Sequence, residues 1–93
     1  MIWTVARTDA FSKEFRKYQK NKAFVDALEK KIKKLIDDPI NVGGYLAGRL
    51  HGNKSTRLLK NFRLIFSIDE QNKIVYLKAI DHRKYDYKNF VDL

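Results

Sequence analysis

The apolar residues of this chain change their spacing once, and that change limits the folds open to it. Early on they recur at helical intervals. Phe11, Phe15 and Tyr18 stand at i, i+4 and i+7, and Val25, Leu28, Ile32, Leu35 and Ile36 keep the same rhythm. Such spacing lines one side of a helix. Later they alternate: Phe62, Leu64, Phe66 and Ile68 fall on one side of an extended strand, with Arg63, Ile65 and Ser67 on the other. Two amphipathic helices that precede a run of strands predict an α+β domain rather than alternating βαβ units.

The punctuation agrees with that division. Ile2 to Val5 is rich in β-formers and reads as a first strand, ended by the helix-start signal Thr8-Asp9. A break near Asn21 separates two helices that should form a hairpin. Asp37-Asp38-Pro39 stops the second, because proline cannot continue the hydrogen-bond ladder. Lys30, Lys31, Lys33 and Lys34 crowd its C-terminal half, where cations complement the helix dipole and form a solvated face. Asn41 to Gly52 holds all four glycines and reads as a loop.

Strands are predicted at Arg57–Leu59, Phe62–Ile68 and Ile74–Ile80, turning at Lys60-Asn61 and through Asp69-Glu70-Gln71-Asn72. The last is apolar on both faces apart from Lys78, which suggests a central position. The expected architecture over residues 1–93 is a small single domain: an N-terminal strand and a two-helix hairpin packed on one face of a mostly antiparallel sheet.

Charge points to the class of partner. The net charge is +9, a profile suited to a polyanion, although many small basic proteins carry charge for solubility alone. Its distribution says more. No acidic residue falls between Pro39 and Ile68, while Arg49, Lys54, Arg57, Lys60 and Arg63 do, so phosphate contacts are expected there. The absence of cysteine excludes disulfides and thiolate metal sites. His51 and His82 stand far apart without repeated carboxylates, so neither a metal nor another cofactor is expected. With no charged leader before an apolar run and no membrane-length segment, the expectation is a soluble, cytoplasmic protein with no membrane partner.

Two segments carry candidate chemistry. Arg63 lies inside a strand on the side opposite the apolar stripe, and a guanidinium held there matches two phosphate oxygens at any working pH. The competing reading is a surface salt bridge. Asp81-His82-Arg83-Lys84-Tyr85-Asp86-Tyr87 follows the last strand and gathers an imidazole, a guanidinium and two phenols. Metal-free cleavage of RNA needs a proton taken from the 2′-hydroxyl, charge stabilised on the phosphorane, and a proton given to the leaving 5′-oxygen. His82 or Tyr87 can move protons, and Arg63 and Arg83 can stabilise charge. His82 can equally cap the strand end, and Tyr85 or Tyr87 can serve as core cover or as a base-stacking platform.

In this order, Asp38-Pro39, Leu46-Ala47-Gly48, the Arg57 strand, Phe62-Arg63-Leu64 and His82-Arg83 through Tyr87 resemble the core of RelE/ParE toxins of type II toxin–antitoxin systems. The resemblance spans nearly the whole chain and implies the RelE-like microbial RNase fold. It further implies a ribosome-dependent mRNA endonuclease that leaves a 2′,3′-cyclic phosphate and a 5′-hydroxyl without a metal.

On that resemblance Arg63 and Arg83 match the phosphate-stabilising arginines and Tyr87 the C-terminal tyrosine. Lys54 and Arg57 fall in the basic strand near the scissile phosphate, and Arg49, Lys60, Lys84 and Tyr85 join as RNA contacts. The YoeB-like branch takes its general base from a glutamate in the preceding loop. Gly43-Gly44-Tyr45 stand there in this sequence, and His82 is the substitute. The implied partners are a cognate antitoxin and mRNA on the ribosome, with contacts to rRNA. A ParE-like poison of DNA gyrase and a non-catalytic RNA-binding module are the alternatives, since one scaffold serves more than one activity.

Overall fold

A computed structural model describes residues 2–48 and 52–82. The elements run β1 (Thr4–Arg7), α1 (Asp9–Tyr18), α2 (Lys22–Asp37), a 3-10 turn (Pro39–Asn41), β2 (Gly44–Tyr45), β3 (Lys54–Leu59), β4 (Phe62–Asp69) and β5 (Ile74–His82). The five strands form one sheet in the order β1-β5-β4-β3-β2, parallel between β1 and β5 and antiparallel elsewhere. It is the expected small α+β domain, and none of its described helices is long and apolar enough to cross a membrane.

Both helices begin where their capping residues dictate. The Thr8 side-chain oxygen accepts from the Phe11 amide at 3.2 Å and its hydroxyl donates to the Leu77 carbonyl at 2.8 Å, so one side chain starts α1 and ties it to β5. Asn21 Oδ1 accepts from the Phe24 amide at 3.1 Å and starts α2. Phe11, Phe24, Leu28 and Leu35 then bury against Leu64, Phe66, Val75, Leu77 and Ile80 of the sheet. At the end of this core Tyr18, Phe24 and Phe62 meet with ring centroids 4.9–5.4 Å apart, within the range of favourable aromatic pairs.

Several features differ from the sequence expectation. The first strand lies two residues later than Ile2–Val5, because Trp3 turns into the core and donates its amide to the Ile36 carbonyl at 2.8 Å. The glycine-rich loop contains β2, too short to show a repeat, and β3 begins at Lys54 rather than Arg57.

A further difference is a β-bulge. Ile65 pairs with Ala79 but Phe66 pairs with Leu77, which leaves Lys78 as an extra residue on β5. Ile80 therefore faces the helices together with Val75 and Leu77, although strict alternation would separate them. That slip of phase is why β5 reads as apolar on both sides. The strand does lie inside the sheet, between β1 and β4.

Candidate functional site

The face of the sheet turned away from the helices is set by register. Across β3, β4 and β5, Arg57 pairs with Arg63 and Arg63 with Asp81, while Ser55 pairs with Ile65 and Ile65 with Ala79. Arg57, Arg63 and Asp81 thus form one row, close to the β3–β4 turn that carries the exposed Lys60. Arg57 is exposed, Arg63 half-buried and Asp81 buried. Two guanidinium-bearing residues directly opposite one another on neighbouring strands form a destabilising like-charge pair. A bound anion removes that cost.

Arg63 is held from the adjacent strand. Its Nε and Nη2 donate to the Ser55 hydroxyl oxygen at 3.3 and 3.2 Å, and Ser55 is only 3% exposed. Ser55 is in turn covered by β2, where it pairs with Gly44. Gly43 sits at φ +67°, and a β-carbon there would lie 2.2 Å from the Ser55 carbonyl oxygen. Only glycine lets the chain pass so close with that backbone angle. Ser55 and Asp81 are the members of the site that the sequence reading missed. Ser55 and Arg57 share a side by simple alternation, whereas Asp81 reaches this face only through the bulge.

Lys54 and His82 do not join this row. Lys54 pairs with Phe66 on the helix side of the sheet, is 2% exposed, and donates its ammonium to the carbonyls of Pro39 and Ile40 at 3.3 and 2.7 Å. Its nitrogen also lies 5.1 Å from the centre of the Tyr45 ring. Burial lowers the pKa of this ammonium, and the negative charge of Asp38 works against the shift. Its bonds close off the turn after α2, so the expectation of a phosphate contact is replaced by a structural one.

His82 pairs with Phe62, and the two rings meet edge to face with centroids 4.7 Å apart. Because Phe62 belongs to the helix-side core, His82 stands on the opposite face from Arg63. The residue added at Lys78 puts it there. The expected partnership of His82 with Arg63 is therefore corrected: its imidazole borders the aromatic cluster. Arg49, Arg83, Lys84, Tyr85 and Tyr87, the other residues expected at the site, lie outside the described residues. Among the described residues no three His, Asp or Glu side chains gather as a metal site would require.

A second feature lies between α2 and β3, a groove of about 350 Å³. Lys30, Lys31 and Lys34 rim it, with Ala27, Leu58 and Leu59 among its apolar lining. Burial lowers the Lys31 pKa, and the neighbouring positive charge of Lys34 adds to the shift.

Residues 5–87 match the family model described as the ParE toxin of the type II toxin–antitoxin system parDE. The chain belongs to this toxin family. Among solved structures it is similar to the RelBE2 toxin–antitoxin complex from Mycobacterium tuberculosis, with a TM-score of 0.76 and 26% identity over 89% of this chain and 100% of that one. It is also similar to YafQ from Escherichia coli, with a TM-score of 0.74 and 15% identity over 88% of this chain and 94% of that one. A mutant of Escherichia coli RelE in the free state has a TM-score of 0.72 and 18% identity over 88% of this chain and 84% of that one. At such identities the last two speak for the fold of this RelE/ParE superfamily toxin. No curated protein sequence matches the chain.

Proposed function

We propose that this toxin acts on RNA, binding a backbone phosphate at Arg57 and Arg63 and cleaving mRNA on the ribosome without a metal. The observation that carries this reading is the Arg57–Arg63 pair, two like charges set directly opposite on rigid strands, a costly arrangement that a phosphate would relieve. In the reaction, the 2′-oxygen attacks phosphorus as its proton leaves, and the 5′-oxygen departs with a proton. The products are a 2′,3′-cyclic phosphate and a 5′-hydroxyl. Arg63, with Arg83 from the closing motif, stabilises the added charge, and Tyr87 is the phenol that the family resemblance assigns to proton movement. His82 has no part in it, since it stands on the other face.

The same reading includes a cognate antitoxin. The RelBE2 structure is a toxin–antitoxin complex. On this chain the lysine-rimmed groove between α2 and β3 has the charge to receive an acidic segment with apolar side chains.

A second reading, poisoning of DNA gyrase, is favoured by one specific observation: the matching family model is that of ParE toxins. Primer extension on mRNA incubated with translating ribosomes separates the two. New 5′ ends from the wild-type protein, lost in the Arg57→Ala, Arg63→Ala double variant, are expected. Intact mRNA together with blocked gyrase supercoiling would replace the nuclease with the second reading.

A further inference from the structure

We propose that Ser55 is a positioning residue, which aims the Arg63 guanidinium at the phosphate through its hydroxyl. The proposal rests on the reading of Arg63 as a phosphate group, and it adds a residue that no charge or motif marks. Arginine has a long side chain with much rotamer freedom, and that freedom must be lost before its planar donors can meet an anion. Here part of the loss occurs in advance. Nε and Nη2, both on one edge of the guanidinium, converge on the same Ser55 oxygen at 3.3 and 3.2 Å.

Fixing that edge fixes the plane of this half-buried side chain, so a phosphate would be met by the other edge, which carries Nη1. The anchor is itself rigid, because Ser55 is 3% exposed, lies inside β3, and has against it the backbone of Gly43 and of Gly44, the first residue of β2. A carboxylate at position 55 would also hold the guanidinium, but it would set a second acidic residue beside Arg63, which already has Asp81 opposite it on β5. A hydroxyl orients without neutralising.

The Arg63 Nε–H signal, identified by its loss in Arg63→Ala, reads the anchor directly by 15N NMR on the full chain. In the wild type it should be resolved and slow to exchange. In Ser55→Ala it should broaden or exchange at least several-fold faster, and Ser55→Thr, which keeps the hydroxyl, should restore it. Binding of a 2′-O-methyl RNA oligonucleotide, which resists cleavage, then tests the consequence. Ser55→Ala should weaken binding about tenfold in the wild-type background, the size of a hydrogen bond to a charged group, and hardly at all in the Arg63→Ala background.

An unchanged Nε–H signal in Ser55→Ala would overturn the proposal, as would equal losses of affinity in the two backgrounds. If Arg63→Ala leaves RNA binding untouched, the phosphate reading of Arg63 fails, and so does the aim we assign to Ser55. The NMR result still shows whether the anchor exists, so the two failures remain distinguishable.

Discussion

At the scale of single residues, a cation's environment decides its use more than its charge does. Lys54 and Arg57 lie three positions apart in the same strand, yet one ammonium is buried against backbone carbonyls and the other side chain is exposed. Replacing Lys54 with Met removes an unfavourable desolvation but leaves the Pro39 and Ile40 carbonyls without their donor. Unfolding in urea at pH 7 should show a net loss of about 1–3 kcal/mol. The pH dependence has a definite sign. Because burial holds the folded-state pKa of Lys54 below its ordinary 10.5, the unfolded chain binds more protons in the alkaline window between the two. Lys54 therefore adds stability as pH rises through that window, an increment that should vanish in the Met variant. A steeper alkaline gain in the variant would contradict the buried position. The sequence marked Lys54 as cationic but could not reveal its depth, because its partners are backbone carbonyls fifteen and fourteen positions away.

At the scale of elements, the helices and the long strands were legible because each carries several turns or alternations of a repeat, with caps at Thr8 and Asn21. The two-residue β2 was not, since a strand that short has no period. Its importance comes from contact. Gly43→Ala meets both a left-handed backbone angle and the Ser55 carbonyl, and should destabilise the protein by about 2 kcal/mol or more in thermal or urea unfolding. Gly48→Ala, at a similar φ of +68° but with nothing within 4 Å of the added carbon, should lose only about 1 kcal/mol. Equal losses at the two positions would show that the approach of β2 to Ser55 is loose. The bulge in β5 was also hidden, for it is a relation between two strands that neither states alone. Alternation through Lys78 without the bulge brings His82 beside Arg63 and removes Asp81 from it, which is why the sequence sets His82 with Arg63 and gives no sign of Asp81 there.

At the scale of the whole molecule, helices cover one face of the sheet and the other carries the paired arginines, within a chain whose net charge is +9. Affinity for RNA should fall steeply with salt, because each neutralised phosphate releases counterions, with a slope of about 0.7 per contact for single strands. Removing Arg57 and Arg63 together should lower that slope by about 1.4 if both touch phosphate. An unchanged slope, measured by titration across salt concentrations, would place the contacts elsewhere on the surface. The extra residue at Lys78 reaches further than its own strand. It works as a parity switch: every side chain from Ala79 to the end of β5 trades sides with what an uninterrupted strand would present. Between a strand that bulges here and one of equal length that does not, a gapless alignment keeps the letters in step while pairing interior positions with exterior ones from Ala79 onward. Deleting Lys78 would therefore straighten the strand yet leave Ala79, Ile80, Asp81 and His82 on the faces they now hold, whereas keeping Lys78 in a strand without the bulge would exchange them.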